Sequence, residues 1–133
     1  MTRKILENTS TIAVVGLSTS PFKDAHRIPA MMQALGFRVI GVHPTATELL
    51  GEPAYPSLAD IPQAVDLVNV FRPSAEAADV VRQAVAIGAS AVWLQSGIRS
   101  AEAARIAAEA GLGYVEDRCI AVDARMHGIR KTA

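Results

Sequence analysis

Between Ile12 and Asp24 the sequence reads IAVVGLSTSPFKD, an apolar run that passes into a turn with one glycine, three hydroxyl side chains and one lysine. Those residue types suit a phosphate. Gly16 lets the backbone come close to a ligand, and Ser18, Thr19 and Ser20 bring hydroxyl donors to a segment whose main-chain amides have no strand partner. Lys23 supplies the charge. A helix expected to open near His26 would turn its unpaired N-terminal amides and positive dipole end toward the same pocket. The same residues also describe an ordinary strand-to-helix loop, because a short glycine motif has little specificity of its own.

What must position this turn is legible in the alternation of continuous apolar runs with longer segments of helical period, the rhythm of a parallel α/β sheet. Strands are expected at Thr11–Gly16, Phe37–Val42, Asp66–Phe71, Ala91–Leu94 and Leu112–Glu116. Helices are expected near His26–Leu35, Ala75–Ile87 and Ala101–Ala110, followed by Gly36, Gly88 and Gly111 where a left-handed residue ends a helix. Ser74 and Ser100 stand at the N-cap positions of the last two. Val80, Val81, Ala84 and Val85 form the face that packs on the sheet. From His43 to Pro62 four prolines break any long element, so this stretch reads as a connection with one short helical turn at Leu58–Ile61. A lead-in helix is expected over Arg3–Asn8, and the basic tail from Arg125 to Lys131 is expected to end in solvent.

Right-handed crossovers favour a Rossmann-like sheet with the first strand central and ligands at the carboxyl ends of the strands. The segments arriving there are Gly16 to Lys23, His43-Pro44-Thr45, Phe71-Arg72-Pro73, Gln95-Ser96-Gly97 and Glu116-Asp117-Arg118-Cys119. Nearly every polar residue that interrupts the apolar pattern falls at this one edge.

Composition limits the function classes. A chain of 133 residues is expected to form one domain over its whole length, 1–133, and the 13 acidic residues balance the 13 basic ones, which argues against a nucleic-acid partner. One cysteine leaves no disulfide framework and points to a reducing, cytoplasmic setting. No apolar run has the length of a membrane span, and TRKILENTS lacks the apolar core of a signal peptide. No cluster of His, Cys, Asp and Glu has metal-ligand spacing, and no serine sits in a nucleophile-elbow motif.

The motifs GLSTSPFKDAHR (16–27), VIGVHPTATELLGEPAYPSLADIP (39–62), VDLVNVFRPS (65–74), IGASAVWLQSGI (87–98) and EDRC (116–119), in this order and spacing, resemble the small stand-alone CoA-binding proteins related to the CoA-binding domain of the succinyl-CoA synthetase alpha subunit. The resemblance covers roughly Leu6 to Asp123. It implies an α/β, Rossmann-like three-layer fold with a five-stranded parallel sheet and helices on both faces, and coenzyme A or acyl-CoA as ligand. By matching motif it places the phosphates at Gly16, Ser18, Ser20, Pro21 and Lys23. The nucleotide cleft falls at Phe71, Arg72, Pro73, Gln95 and Gly97. Two positions depart from the family pattern. His43 stands where relatives often carry asparagine, so it is either a ligand contact or a loop histidine bonded to the backbone. Asp117 replaces an asparagine, and its carboxylate would repel an anion unless Arg118 pairs with it.

Taken individually, Arg72 is held near the cleft, to stack on adenine or bind a phosphate, with a structural ion pair as the other reading. Trp93 reads as core and Cys119 as a packing group. The chain thus reads as a CoA-binding module without a complete active site, one that holds or presents CoA to an acyl-CoA enzyme or acts as a homodimer. Two other classes stay open. An NADP-binding Rossmann protein or oxidoreductase subunit would use His43 and a nearby arginine for the extra phosphate, and a protein-interaction subunit would have lost ligand binding.

Overall fold

The computed structural model describes residues 1 to 131. In chain order the elements are α1 (Thr2–Glu7), β1 (Thr11–Val15), α2 (Asp24–Ala34), β2 (Arg38–Val42), β3 (Glu48–Leu49), β4 (Glu52–Pro53), a 3-10 turn at Leu58–Asp60, β5 (Leu67–Val70), α3 (Ser74–Ala86), β6 (Ala91–Leu94), α4 (Ala101–Ala110), β7 (Gly113–Val115) and α5 (Ile120–Met126). The five strands of the main sheet lie where the apolar runs place them. All are parallel, in the order β2-β1-β5-β6-β7. The central strand is therefore β5 and not the first one, which lies beside it. Among the described residues no helix is long and apolar enough to cross a membrane.

Both faces of the sheet are covered, which is why its strands are apolar on both sides. Ala13, Ile40, Val68, Val70, Val92 and Leu94 face α3 and α4, where Ala77, Val81, Ala84, Ala103 and Ala107 are buried against them. Ile12, Val14, Val39, Leu67 and Trp93 face α1, α2 and α5, meeting Leu6, Met32, Ile120 and Ala124. Trp93 is fully buried, and its indole N–H donates to the Arg118 carbonyl at 2.8 Å, so the ring's one polar atom is satisfied. Val85, expected on the packing face of α3, is 37% exposed at its edge.

Local chemistry moved several boundaries. Ser100 caps α4 as expected, its hydroxyl accepting from the Ala103 amide at 3.0 Å. Ser74 does not cap α3, because Pro73 holds the extended N-cap conformation and Ser74 is the first helical residue. Its hydroxyl instead accepts the Arg99 amide at 3.1 Å and ties α3 to the loop after β6. In the proline-rich connection, β3 and β4 form a small hairpin turned by Leu50 and Gly51, both with positive φ.

The largest departure lies at the C-terminus. α5 forms where no helix was expected, held by Ile120, Ala121 and Ala124 in the core and by Asp123, 1% exposed, which receives two hydrogen bonds from Arg118 at 2.7 and 2.8 Å. The tail beyond it packs back onto the body: Ile129 is buried, and the Lys131 amide donates to the Leu35 carbonyl. Gly36 makes that contact possible. With φ at 99°, a Cβ built there would lie 1.4 Å from the Lys131 carbonyl oxygen. Gly36→Ala is expected to lower the unfolding free energy by more than about 1 kcal/mol through left-handed strain and displacement of the tail, read as a lower urea midpoint. An unchanged midpoint would show that the tail adds nothing to stability.

Candidate functional site

From the neighbouring strands β1 and β5 the chain departs to opposite faces of the sheet, through α2 on one side and α3 on the other. This opens a crevice at their carboxyl ends, the topological switch point at which open α/β sheets take ligands. Gly16 lies in it with φ at 92°, its amide donating to the Val42 carbonyl at 3.3 Å. A Cβ there would sit 2.5 Å from the Phe71 carbonyl oxygen and 3.1 Å from Arg72 Cδ. The space that Gly16 leaves is filled by the residue that follows β5, so no side chain fits at the turn.

Beyond Gly16 the loop divides its amides. Ser18 donates to the Ala25 carbonyl at 3.1 Å, and Ser20 donates to the Ser18 hydroxyl oxygen at 3.0 Å. The amide of Phe22 at the exposed tip and those of Leu17, Thr19, Asp24 and Ala25 have no acceptor among the described residues. The last two belong to the first turn of α2, where no intrahelical acceptor exists. Leu17 anchors this array, since its side chain is buried on the α2 face while its amide stays unpaired. Pro21 is exposed at the tip, and Lys23, the N-cap of α2, has no ion-pair partner among the described residues.

Pro29, in the interior of α2, explains how the loop is held. It has no N–H to give to the carbonyl four residues earlier, that of Ala25. That carbonyl is the one that accepts Ser18. A proline that looks like a defect in the helix thereby frees the acceptor that fixes the loop.

Two clefts flank this turn. One, of about 230 Å³, is lined by Val15, Gly16, Val42, His43, Pro44, Pro56 and Arg72. His43 Nδ1 accepts from the Thr45 amide at 3.1 Å and the Ala46 amide at 2.9 Å, so the ring hydrogen resides on Nε2. The imidazole thus makes the backbone contacts that an asparagine oxygen makes in an Asx turn, and a donor remains on its other nitrogen. Arg72 is exposed and gives three hydrogen bonds of 3.0 to 3.1 Å to Glu76 through Nε and one terminal nitrogen. Its other terminal nitrogen makes no bond among the described residues. A surface pair of this kind is worth about 0–1 kcal/mol, so it does not commit Arg72. Pro73 lies outside this cleft, at the start of α3.

The second cleft, of about 260 Å³, is lined by Asp24, Ile28, Phe71, Gln95, Ser96, Ile98 and Cys119. Gln95 is only 3% exposed; its amide donates to Asn69 Oδ1 at 2.8 Å and its oxygen accepts the Ile120 amide at 3.4 Å. It forms the wall more than it reaches out of it. Gly97, with φ at 84°, donates to Asp117 Oδ1 at 2.6 Å. The partner of Asp117 is Arg99, at 2.7 and 3.0 Å, and not Arg118, which is spent on Asp123. The Asp117 carboxylate is thereby closed on itself as a clasp between two loops. The Gly97 amide, and then Arg99, hold its carboxyl below the usual value.

The structure brings Gly16, Leu17, Ser18, Ser20, Lys23, His43, Phe71, Arg72 and Gln95 to one edge, with Pro21, Pro73 and Gly97 on its rim. Sequence reasoning missed four contributors. The amides of Asp24 and Ala25 depend on where α2 begins, two residues earlier than expected. Asn69, 1% exposed, is a polar residue inside a run of valines and leucine, and that interruption was its one signal. Pro29 was visible but silent, because its effect runs through a hydrogen bond it cannot make.

An open parallel α/β sheet with unpaired amides at its switch point is the architecture of nucleotide-binding domains. The family described as CoA binding domain matches residues 10–125, and the chain belongs to that family. It is 38% identical to the uncharacterized protein YneT of Bacillus subtilis (strain 168) over 120 residues, 90% of this chain and 89% of that one. The structure of cell-free ID.343 from Thermus thermophilus is similar with a TM-score of 0.89 and 38% identity, covering 94% of this chain and 95% of the other. The dinucleotide-forming acetyl-coenzyme A synthetase 1 of Ca. Korarchaeum cryptofilum, in complex with phosphate and ADP, is similar with a TM-score of 0.72 and 29% identity. There the likeness spans 86% of this chain but 27% of the synthetase chain.

Two outcomes test this geometry. Pro29→Ala restores an N–H competitor for the Ala25 carbonyl, so the Ser18 amide should exchange with deuterium faster while global stability does not fall, a helix-interior proline being about 3 kcal/mol worse than alanine. Unchanged Ser18 protection would refute the link. Because the Asp117 carboxyl is depressed in the folded state, the clasp stabilises above the ordinary carboxylate value and is lost as pH falls through the folded one. The stability advantage over Asp117→Asn in denaturant titrations should therefore shrink below about pH 4. A difference independent of pH would contradict the clasp.

Proposed function

We propose that this protein binds coenzyme A or an acyl-CoA as a module without a complete active site of its own, holding the ligand's pyrophosphate at the loop between β1 and α2. The observation that carries this is the group of unpaired amides at Leu17, Thr19, Asp24 and Ala25 beside the unpaired Lys23. The array lies at the surface, where water can serve its donors, and a phosphate is the ligand whose acceptor oxygens and charge match it. Lys23 contributes a point charge, and the Ser18 and Ser20 hydroxyls add donors within the same turn.

From that anchor the ligand extends both ways. Its nucleoside, with the 3′-phosphate, lies in the cleft of His43, Pro44, Pro56 and Arg72, where His43 Nε2 and the free edge of Arg72 are donors among apolar walls. Its pantetheine arm enters the cleft of Ile28, Phe71, Gln95 and Ile98, with Gly97 on the rim. A 2′-phosphate would meet the same two donors, and this observation favours NADP as the second reading. Among the described residues no group of His, Cys, Asp and Glu is placed to hold a metal ion. The role that fits is holding CoA or an acyl-CoA and handing it to an enzyme partner in the cytoplasm.

Thermal unfolding with a panel of ligands distinguishes these readings, since a compound that binds only the folded state raises the midpoint. CoA should raise it most, dephospho-CoA less and NAD not at all. A larger rise with NADP than with CoA would select the second reading, and no rise with any of the four would reject both. Lys23→Ala and Arg72→Ala should each weaken CoA by about ten- to a hundred-fold, the worth of one charge-assisted hydrogen bond, with the ligand-free midpoint unchanged.

A further inference from the structure

The cleft that holds His43 and Arg72 does not end at them. A further cavity, of about 390 Å³, shares Val15, Val42, Pro56 and Arg72 with it and continues along α3 past Glu76, Asp79 and Gln83. These three residues are three and four apart, so they form one polar stripe of the helix. The apolar lining beside them, Val15, Val42, Pro56 and Val80, suits the faces of a planar ring.

Hydrogen bonding within the stripe leaves a defined pattern. Gln83 Nε2 donates to Asp79 Oδ2 at 3.2 Å, which uses one amide hydrogen and one carboxylate oxygen. Asp79 Oδ1 and the second hydrogen on Gln83 Nε2 have no partner among the described residues. The pair therefore offers an acceptor and a donor side by side. An adenine edge answers that pattern, because its N6 amine donates while the neighbouring ring nitrogen accepts. A purine with an oxygen at the same position would set that oxygen against the carboxylate.

Charge separates this cavity from the cleft it joins. His43 Nε2 and Arg72 are donors suited to a phosphate, whereas Asp79 is a carboxylate with no ion-pair partner among the described residues. Glu76 beside it is held by Arg72. A phosphate is repelled from the stripe, and an uncharged base that carries an amine is not.

We propose that Asp79 and Gln83 read the adenine base of the ligand, which lies against α3 beyond the cleft that takes the ribose and the 3′-phosphate. This rests on the placement of the nucleoside proposed above and adds the residues that select its base. Asp79 Oδ1 accepts from the N6 amine, and Gln83 Nε2 donates to the ring nitrogen next to it.

The test compares CoA with its hypoxanthine counterpart, in which a carbonyl oxygen replaces the N6 amine, by calorimetric titration of the full chain. Wild type is expected to bind CoA at least about ten-fold more tightly than the counterpart, the discrimination of one paired base contact. In Asp79→Asn the ratio should fall to about one, since an amide side chain can turn a donor toward the oxygen. The ligand-free thermal midpoint should stay unchanged, because both side chains are exposed. Equal affinity of wild type for the two ligands would overturn the proposal while leaving CoA binding intact. A ratio that survives unchanged in Asp79→Asn would also overturn it, by showing that the base is read elsewhere. If wild type binds neither ligand, the placement of CoA itself is wrong and the base site falls with it.

Discussion

Three strand ends converge on Gly16. Its amide is bonded to the end of β2, its missing side chain is replaced by the carbonyl that ends β5, and its left-handed backbone turns β1 away toward α2. Any side chain at this position would push β1 and β5 apart and displace Arg72 with them. The loop that follows is therefore not a free excursion from the sheet. It leaves in one direction, and the Ser18 amide is caught by the carbonyl that Pro29 left open on α2.

This constraint explains why unpaired amides persist at a loop that is otherwise firmly held. A flexible loop would turn its N–H groups to water or to its own carbonyls at little cost. Here the backbone is held from both sides, and the amides of Leu17, Thr19, Asp24 and Ala25 stay without a protein acceptor. Preorganisation of this kind lowers the entropy that a ligand must overcome on binding. The chain belongs to the CoA binding domain family, and its fold is similar to about a quarter of an acetyl-coenzyme A synthetase chain.

Most of the fold was legible because parallel strands buried on both faces leave long apolar runs, and glycines stop the helices between them. α5 was not legible. It spans seven residues, carries Asp123 and Arg125, and is stabilised by an ion pair to a residue outside it, so the apolar spacing of Ile120, Ala121 and Ala124 is too short to mark a helix. The candidate site divides in the same way. Gly16, Lys23 and Arg72 stand out as residue types at strand ends. The partners that decide their roles do not: that Arg72 leans on Glu76, that Asp117 takes Arg99, and that the Gln95 amide is turned inward to Asn69 all depend on distances across the sheet. His43 is instructive because a change of residue type kept the backbone contacts. The imidazole Nδ1 occupies the acceptor position of an amide oxygen.

The central claim, that an anion docks on exposed main-chain donors at this turn, is tested most directly by following the backbone amide resonances of the labelled protein as CoA is added. The amides of Leu17, Thr19, Asp24 and Ala25 should shift together, saturate with one CoA and become protected from exchange, while the Ser18 amide, already bonded, moves least. Saturating CoA that perturbs residues elsewhere and leaves these four resonances in place would contradict it.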